Sequence, residues 1–447
     1  MTHKCQGTLL GVLILIFLLA AFASATDVKV DCTGTDPNAF HSINDALNTL
    51  DMVGPHTVTI NGNCHENVGF GQRNWITFQA VPGRYATITN AANPALITFI
   101  VSSSHDIVFD HIIFEGGSAG VYVSSNSGPI HFLNCTIQDS LGDGLDIDMQ
   151  SSVHFENTSI KNNAFNGISI SNQSQLLLGT YPTQRIRISG NGGDGLAIDG
   201  SNVQLNYGIL TVDSNKGAGI SMAGGRLQFY GSGTAVPALI QNNNNGITLN
   251  TGASATLWGG FRIHNNGGYG IAINNSSSLT AWEVDDANGN KYVTAIDGHS
   301  TAGIGLSASS SAELIGAHSI FNNGSASADP GARGGISMAG SSLTIGWNTA
   351  IRNNIGPGLR LGAKSDVIMF DMTISGNSEE AVRETNLSSG GYYNPLTFYG
   401  NGGKSLYCDK FSVAYGDVGS IANTDCANVT TAAERRPDIH IPKLPQQ

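Results

Sequence analysis

The chain has 447 residues, of which 57 are glycine, and charged side chains make up only 12% of it. Its formal net charge is −12, with 21 basic against 33 acidic residues, so it lacks the positive surface that nucleic-acid binding requires. Abundant glycine and little charge would suit a disordered chain, but regularly spaced Ile, Leu and Val supply a long apolar core and exclude that class.

The first 25 residues have the pattern of a secretory signal peptide. Lys4 supplies a basic start, an apolar stretch covers 9–22, and residues 23–25 (ASA) form a small-residue cleavage site. We therefore predict a mature chain that begins at Thr26, is secreted to the periplasm or beyond, and has no membrane span after cleavage. Cleavage removes one cation and no acid, which leaves 20 basic against 33 acidic residues and a net charge of −13.

A short amphipathic helix is predicted within 40–50 (FHSINDALNTL), where apolar residues recur at helical spacing. Ser42, followed three residues later by Asp45, resembles a capping box with Asp in place of Glu. We expect this helix to cover the N-terminal end of the fold. Cys32 and Cys64 flank it, and we predict a disulfide bond between them.

One phrase then recurs along most of the chain: a polar turn, a glycine, and a short strand of alternating apolar residues. Examples are SLGDGLDID at 140–148, NAFNGISIS at 163–171 and GGDGLAID at 192–199. Successive copies are 23 to 33 residues apart, and a period of this size that drifts is typical of a solenoid. Because every copy has strand periodicity and runs in the same sense, we predict an all-β parallel β-helix of about eleven coils.

Asparagines at the turns are predicted to stack from coil to coil and to hydrogen-bond along the stack, with sugar binding as the alternative. They include Asn134, Asn157, Asn163, Asn215, Asn243, Asn266, Asn323 and Asn354. Cys135, which follows one of these turns, is predicted to be a buried free thiol.

The period ends in an aromatic-rich segment at 392–426, which we predict to be a C-terminal cap with a disulfide bond between Cys408 and Cys426. The predicted organisation is a signal peptide at 1–25, an N-terminal cap at 26–70, the parallel β-helix at 71–391, the C-terminal cap at 392–426, and a flexible tail at 427–447.

The repeat and the capping helix resemble the right-handed parallel β-helix, or pectin-lyase-like, superfamily over about 28–425. The opening segment 30–47 (VDCTGTDPNAFHSINDAL) is similar to the N-terminal caps of secreted bacterial β-helix proteins. The resemblance implies a right-handed solenoid. The superfamily includes pectate and pectin lyases, polygalacturonases and alginate-active enzymes, but also phage tailspikes and adhesins. Membership in it would therefore not distinguish an enzyme from a structural protein.

On the predicted strands, the second and fourth residues after each glycine point outwards, and most of them are small and neutral. The acidic exceptions, together with two acids that directly precede a glycine, form what we call the acidic patch: Asp143, Asp146, Asp148, Asp194 and Asp199. Tyr122 flanks this patch one coil earlier. Converging carboxylates need a cation or a raised pKa. The patch therefore predicts either a Ca²⁺ site at Asp146, Asp148 and Asp199 that positions an acidic sugar, or an acid–base pair of carboxylates.

The segment 142–148 (GDGLDID) is similar to the NTDGID segment of polygalacturonases. By that resemblance Asp143 and Asp148 correspond to the two aspartates of the motif, and Asp199 is the further catalytic candidate. The chain departs from the family pattern in two ways: no adjacent Asp pair follows one coil later, and no Gly-His-Gly motif follows. The segment most similar to that motif is DGHS at 297–300. The alternative is a repeat that uses Asp in solvated turns.

Two further features could carry function. The insertion at 282–292 (WEVDDANGNKY) offers Trp282 and Tyr292 as sugar-stacking groups, with an ordinary surface turn as the alternative. His131 and His154, with a glutamate at 156, could hold a metal or be ordinary exposed strand residues.

The function expected from these features is a secreted β-helix protein that binds or processes a polysaccharide, with acidic polysaccharides among the candidates, along the face of its rod. As an enzyme it would be a polysaccharide lyase or glycoside hydrolase acting on a polyuronate-type glycan. The alternative is a non-catalytic structural or adhesive extracellular protein.

Overall fold

The computed structural model describes residues 25–90, 94–206, 208–230, 238–285 and 291–430. The predicted signal peptide, apart from its last residue, and nearly all of the predicted tail lie outside the described residues. The described chain winds into a β-helix in which the strands of successive coils pair in parallel. Its coils have three faces, connected by turns.

The first face contains the glycine-led strands of the sequence repeat and forms a 15-stranded parallel sheet, which we call the Gly-led face. Its strands are Val68–Gly71, Phe99–Ser102, Val121–Ser124, Leu145–Ile147, Ile168–Ile170, Leu196–Asp199, Ile220–Ala223, Ile247–Asn250, Ile271–Ile273, Ala302–Ser307, Gly334–Ala339, Leu359–Gly362, Val382–Glu384, Leu406–Cys408 and Thr424–Cys426.

The second and third faces form one 28-stranded sheet, because three long strands near the C-terminus run through both faces. The second face consists of Thr26–Asp31, Val53–Asn61, Asn74–Ala80, His105–Asp110, Ile130–Leu133, Ser152–Glu156, Gln175–Leu178, Asn202–Asn206, Arg226–Tyr230, Ser254–Trp258, Ser278–Trp282, Ser311–Ile315, the long strands Ser342–Arg352, Asp366–Ser375 and Ser389–Tyr399, then Val413–Gly416 and Val429–Thr430. The third face adds Asn63–His65, Ala86–Thr89, Ile112–Glu115, Thr136–Gln138, Ser159–Lys161, Arg185–Ser189, Ile209–Asp213, Ala238–Gln241, Phe261–His264, Thr294–Asp297 and Ser319–Phe321.

Two short elements lie outside this scheme. An antiparallel hairpin pairs Val284–Asp285 with Lys291–Tyr292, and a 3-10 helix covers Val418–Ser420.

The parallel β-helix prediction is confirmed, but the predicted number of coils was too low. The 15 strands of the Gly-led face correspond to about 14 turns, rather than eleven. The four additional strands begin at Val68, Phe99, Leu406 and Thr424, and Asn, Thr, Ser and Asn stand before them in place of glycine. The glycine-led pattern therefore does not detect these coils, although their alternating apolar residues form strands of the same sheet.

The core is one continuous column of inward-facing apolar side chains from Val30 to Ile421. On the strand Leu145–Ile147 the first and third residues are buried and the second is half-buried, as the alternation predicts. Phenylalanines stack within the N-terminal half of the column, for example Phe109 on Phe132 with ring centroids 5.0 Å apart. Burying such a side chain contributes about 1.5–3 kcal/mol, so the apolar column is the main source of stability.

Where a glycine precedes a strand of this face, close packing rather than a left-handed dihedral angle favours it. A Cβ atom on Gly144 would lie 2.6 Å from the carbonyl oxygen of Gly167 and 2.5 Å from Nδ2 of Asn163. In the turn that leads to Gly144, the positive φ angle occurs earlier, at Asp139, where φ is 56°.

Six of the eight asparagines named in the prediction, from Asn163 onwards, belong to a continuous buried ladder. Asn134 and Asn157 lie at a different turn, where Nδ2 of Asn157 donates to Oδ1 of Asn134 at 3.3 Å. The backbone N–H of Asn215 donates to Oδ1 of Asn243 at 3.0 Å, and Asn243 donates in the same way to Asn266 at 2.9 Å. The members of the ladder are Asn163, Asn191, Asn215, Asn243, Asn266, His299, Asn323, Asn354, Asn377 and Asn401. Here His299 takes the place of an asparagine, and burial lowers its pKa to about 4, so it is neutral. The DGHS segment is thus structural.

A second ladder, of serines, was not predicted. At the turns that follow four successive Gly-led strands, from Phe99–Ser102 to Ile168–Ile170, a backbone N–H donates to the serine hydroxyl of the next coil at 3.2 Å. Cys135 lies at another turn of the coil, between the strand Ile130–Leu133 of the second face and the strand Thr136–Gln138 of the third. It is a buried free thiol, as predicted, and donates to the carbonyl of Phe109 at 3.4 Å.

The N-terminal helix spans Ile43–Asn48 and begins after Ser42, whose hydroxyl accepts from the N–H of Asp45 at 3.2 Å. The carboxylate of Glu66, rather than that of Asp45, completes the cap. It accepts from the N–H of Ile43 at 2.5 Å and from the hydroxyl of Ser42 at 2.8 Å. Tertiary structure therefore supplies the group that the local motif lacks.

Both predicted disulfide bonds are present, Cys32–Cys64 and Cys408–Cys426. Such bonds are typical of proteins that fold in an oxidising compartment. No helix within the described ranges has the length and apolar character needed to span a bilayer.

Candidate functional site

The acidic patch lies on the outer side of the Gly-led face. Tyr122, Asp146 and Ser169 are register partners on three adjacent strands, so their side chains form one outward row. The Tyr122 hydroxyl donates diagonally to Oδ2 of Asp148 at 3.4 Å. The structure therefore brings Tyr122, Asp146 and Asp148 together, as the register of the repeats predicts.

Asp146 lies in an environment that favours a proton. Burial, followed by the negative charges of Asp143 and Asp148, raises its pKa to about 6. A half-buried carboxyl group beside two other acids is destabilised when ionised, because desolvation and repulsion act in the same direction.

Asp148, two residues further along, lies in the opposite environment. Burial opposes its ionisation, but hydrogen bonds from Asn172 at 2.6 Å, from the Ser171 hydroxyl at 2.9 Å and from the N–H of Met149 at 2.7 Å outweigh burial and lower its pKa. In mildly acidic solution Asp146 therefore holds a proton while Asp148 is ionised. Neighbouring carboxyl groups whose pKa values are driven apart in this way are typical of acid–base sites.

Asp143 and Asp194 have a structural task. Asp143 accepts from the backbone N–H of Asn166 at 2.7 Å, Asn166 accepts from the N–H of Asp194 at 2.9 Å, and Asp194 accepts from the N–H of Ala218 at 2.6 Å. Burial raises the pKa of both aspartates. Their side chains thus connect successive coils, as the asparagine ladder does.

Asp199 is exposed and lies at the edge of a groove of about 510 Å³. The groove follows the turns after three successive Gly-led strands and is lined by Met149, Gln150, Asn172, Gln173, Asp199 and Gly200. Asn172 and Met149 also hydrogen-bond to Asp148, so the groove adjoins the Asp146–Asp148 pair. Asp199 is two coils beyond Asp148, a separation of about 10 Å at the usual strand spacing.

The three aspartates of the predicted Ca²⁺ site are not assembled as ligands in this arrangement. A metal site needs at least three Asp, Glu, Cys or His side chains whose ligand atoms lie close together. Within the part of the chain that the structure describes, one such set has its ligand atoms within 4.8 Å of one another: Cys32, Cys64 and Glu66. Both sulfurs of that set belong to a disulfide bond. The rings of His131 and His154 meet edge to face at 4.8 Å, without a third ligand at that distance. The Ca²⁺ site stays a prediction.

Trp282 is part of an aromatic stack that sequence analysis missed. Its ring lies parallel to that of Trp258, with centroids 5.7 Å apart, and Tyr230 meets Trp258 edge to face at 5.1 Å. Trp282 also packs against a small apolar cluster outside the main column, formed by Ile315, Phe370 and Tyr393. One ring face is therefore covered. Tyr292 lies in the hairpin strand paired with Val284. The missed signal is that 230, 258 and 282 occupy the same strand position, 28 and 24 residues apart.

Comparisons with known proteins support the assignment of the fold as a right-handed parallel β-helix. Residues 56–181 match the family model described as right handed beta helix region. The match covers 126 of the 447 residues and agrees with the right-handed parallel β-helix fold of the described coils, which the resemblance implied. No curated protein matches the chain in sequence.

Solved structures with similarity over most of the chain include three carbohydrate-active proteins. The A-module of mannuronan C-5 epimerase AlgE6 from Azotobacter vinelandii is 12% identical, with a TM-score of 0.29, over 92% of this chain and 93% of that one. Pectate lyase Pel9A is 12% identical, with a TM-score of 0.26, over 92% and 80%. GH136 lacto-N-biosidase from Eubacterium ramulus is 11% identical, with a TM-score of 0.25, over 94% and 70%. At such TM-scores the likeness says nothing about the activity of this chain.

Proposed function

We propose that the chain is an extracellular β-helix protein that binds a polysaccharide at the acidic patch and hydrolyses it with Asp146 and Asp148. The observation that carries this proposal is the opposite environment of two neighbouring side chains, Asp146 on the strand Leu145–Ile147 and Asp148 directly after it. Asp146 retains a proton to about pH 6, while hydrogen bonds from Asn172, Ser171, Met149 and Tyr122 hold Asp148 in its ionised form.

The spacing of the pair suits an inverting hydrolysis. In an extended chain the Cα atoms of residues two apart are about 7 Å apart. Inverting glycosidases place their two carboxyl groups about 6.5–9.5 Å apart so that water fits between one of them and the sugar, and side chains that leave the same face at this Cα spacing can reach that separation. In this scheme Asp146 donates its proton to the glycosidic oxygen as the bond from carbon to oxygen breaks. Asp148 takes a proton from the water whose oxygen forms the new bond to that carbon.

The groove beside Asp148 supplies the binding surface. Gln150, Asn172 and Gln173 line it, and their amide groups can both donate to and accept from sugar hydroxyls. The patch is strongly acidic, so a neutral glycan can approach it directly. A polyuronate would add carboxylates and would need a cation such as Ca²⁺ between the two.

The test is a screen of the purified mature chain against neutral and uronate polysaccharides, each with and without Ca²⁺. Reducing-end release reports hydrolysis, and the ultraviolet absorbance of an unsaturated product reports lyase action. We expect Asp146→Asn and Asp148→Asn each to lower reducing-end release by about 10²-fold or more. Glu313→Gln, an outward acid on the second face, is the matched control and should leave the rate unchanged.

The pH profile gives a further check. Because Asp146 must be protonated to donate, the rate should fall as pH rises through about 6. Hydrolysis that persists in both Asn variants would refute the assignment of the pair.

A non-catalytic structural or adhesive role is the second candidate. It is favoured by the hydrogen bonds of Asp143 and Asp194 to the backbone of the next coil, since these show that part of the patch stabilises the rod. Absence of binding and of product with every polysaccharide in the screen would support this candidate over the first.

A further inference from the structure

A cluster of cations and one aromatic ring lies at the far end of the Gly-led face. Arg360 and Arg383 are register partners in the same outward row as Asp146, and Tyr407 is the next member of that row. Arg333, from a preceding turn, joins them, and we call these four residues the arginine cluster. It lies eight strands from Asp146 along the Gly-led face, or about 38 Å at the usual strand spacing.

The positive charge of the cluster is only partly neutralised. Glu379 contacts all three guanidinium groups, with nitrogen–oxygen distances of 2.8 Å to Arg333, 3.6 Å to Arg360 and 3.7 Å to Arg383. Glu380 pairs with Arg383 at 2.8 Å. Three cations thus face two anions, and one positive charge is left over.

Arg360 carries the strongest evidence. Its side chain is only 15% exposed, and its contact with Glu379 is too long for a hydrogen bond. Within the described ranges Arg360 makes no side-chain hydrogen bond, and the Nε groups of Arg333, Arg360 and Arg383 are buried without a partner. A guanidinium group has five N–H donors, and leaving such donors unpaired away from water is unfavourable. The terminal nitrogens of Arg360, which no hydrogen bond within the described ranges occupies, are the donors that one more anion could use.

Neighbouring residues hold the cluster in position. The Arg333 side chain passes over Gly356 to reach Glu379 two coils away, and a Cβ atom on Gly356 would lie 3.0 Å from Cγ of Arg333. The guanidinium group of Arg383 lies over the Tyr407 ring, 5.9 Å from its centroid. The donors are thus ordered before any ligand arrives, which lowers the entropy cost of binding.

We propose that the arginine cluster is an anion-binding site for a carboxylate or sulfate group carried by an extracellular polysaccharide. Guanidinium groups bind planar carboxylates and sulfate-like oxyanions through paired hydrogen bonds, which a compact ammonium group cannot do. The site is separate from the acidic patch and does not require the chain to be an enzyme.

The test is isothermal titration of the mature chain with three probes of equal length: an oligogalacturonate, a sulfated oligosaccharide and a neutral oligosaccharide. We expect one or both anionic probes to bind, with an affinity that falls as salt is added, and the neutral probe not to bind through this site. Arg360→Gln and Arg383→Gln should each weaken binding at least tenfold. Arg226→Gln, an exposed arginine on the second face, is the matched control and should bind as the wild type does.

Glu379→Gln separates binding from a purely structural network. Removing this carboxylate takes away the internal competitor, so we expect the anionic probe to bind more tightly, even if the variant melts at a lower temperature. An ion network with no ligand would lose stability and show no binding. Absence of anionic binding at low salt, or binding unchanged in Arg360→Gln, would overturn the proposal. Asp146→Asn should abolish hydrolysis without changing anion binding, which distinguishes this site from the proposed catalytic one.

Discussion

Glu384 is an acid in the apolar column of the rod, and its replacement gives a prediction whose magnitude can be worked out. It is the third residue of the strand Val382–Glu384, an inward position where Leu361 and Cys408 are its register partners. The side chain has no exposed surface. One oxygen accepts from the Tyr392 hydroxyl and the other has no hydrogen-bond partner among the described residues.

The environment of Glu384 makes its ionisation expensive. Burial, opposed in part by the Tyr392 hydrogen bond, raises its pKa from 4.5 to about 8. Each pKa unit corresponds to 1.36 kcal/mol, so the shift is worth about 4–5 kcal/mol. The folded chain binds the proton more tightly than the unfolded chain. The free energy of unfolding is therefore highest below about pH 4.5 and falls by that amount as pH rises to about 8.

Glu384→Gln should remove this pH dependence, because the amide keeps the size of the side chain, can still accept from Tyr392, and never ionises. We expect the variant to be several kcal/mol more stable than the wild type at pH 8 and within about 1 kcal/mol of it at pH 4.5. Because the coils of a solenoid can open separately, the assay is urea unfolding at a series of pH values combined with hydrogen exchange in the C-terminal coils. Glu313→Gln is the control. A difference between variant and wild type that does not change with pH would refute the reasoning.

Two further predictions concern buried polar groups. Asn243→Ala removes the acceptor for the Asn215 N–H and should lower the free energy of unfolding, measured by urea titration, by about 2–4 kcal/mol. Asn244→Ala, at an exposed position of the same turn, is the control and should change that free energy by less than about 0.5 kcal/mol. Burial raises the pKa of the Cys135 thiol to about 12, so iodoacetamide should modify it only after unfolding in urea; rapid labelling of the native chain at pH 8 would contradict its burial.

Much of the architecture follows from local pattern. Alternating apolar residues and a repeated glycine predict parallel coils, and the same alternation places Asp146 and Asp148 on the outside. The coil number was underestimated because Phe99 and Leu406 begin strands without a glycine before them, and backbone pairing, not that glycine, is what defines a coil.

The chemistry of the candidate sites depended on neighbours that are distant in sequence. Nothing local to Asp148 predicts the hydrogen bonds from Ser171 and Asn172, which come from the next coil. Likewise, Arg333 and Glu379 are 46 residues apart and meet only because one intervening coil turns at a glycine.

The amino-acid sequence by itself determined the period, the direction of the strands and which side chains face outwards, because these follow from the two-residue repeat of a β-strand and the steric demands of its turns. Only the tertiary structure decided which outward groups meet, which carboxyl group keeps its proton and which arginines lack partners. Those properties depend on burial and on contacts between coils, whose lengths vary by several residues, and a single linear pattern does not contain them.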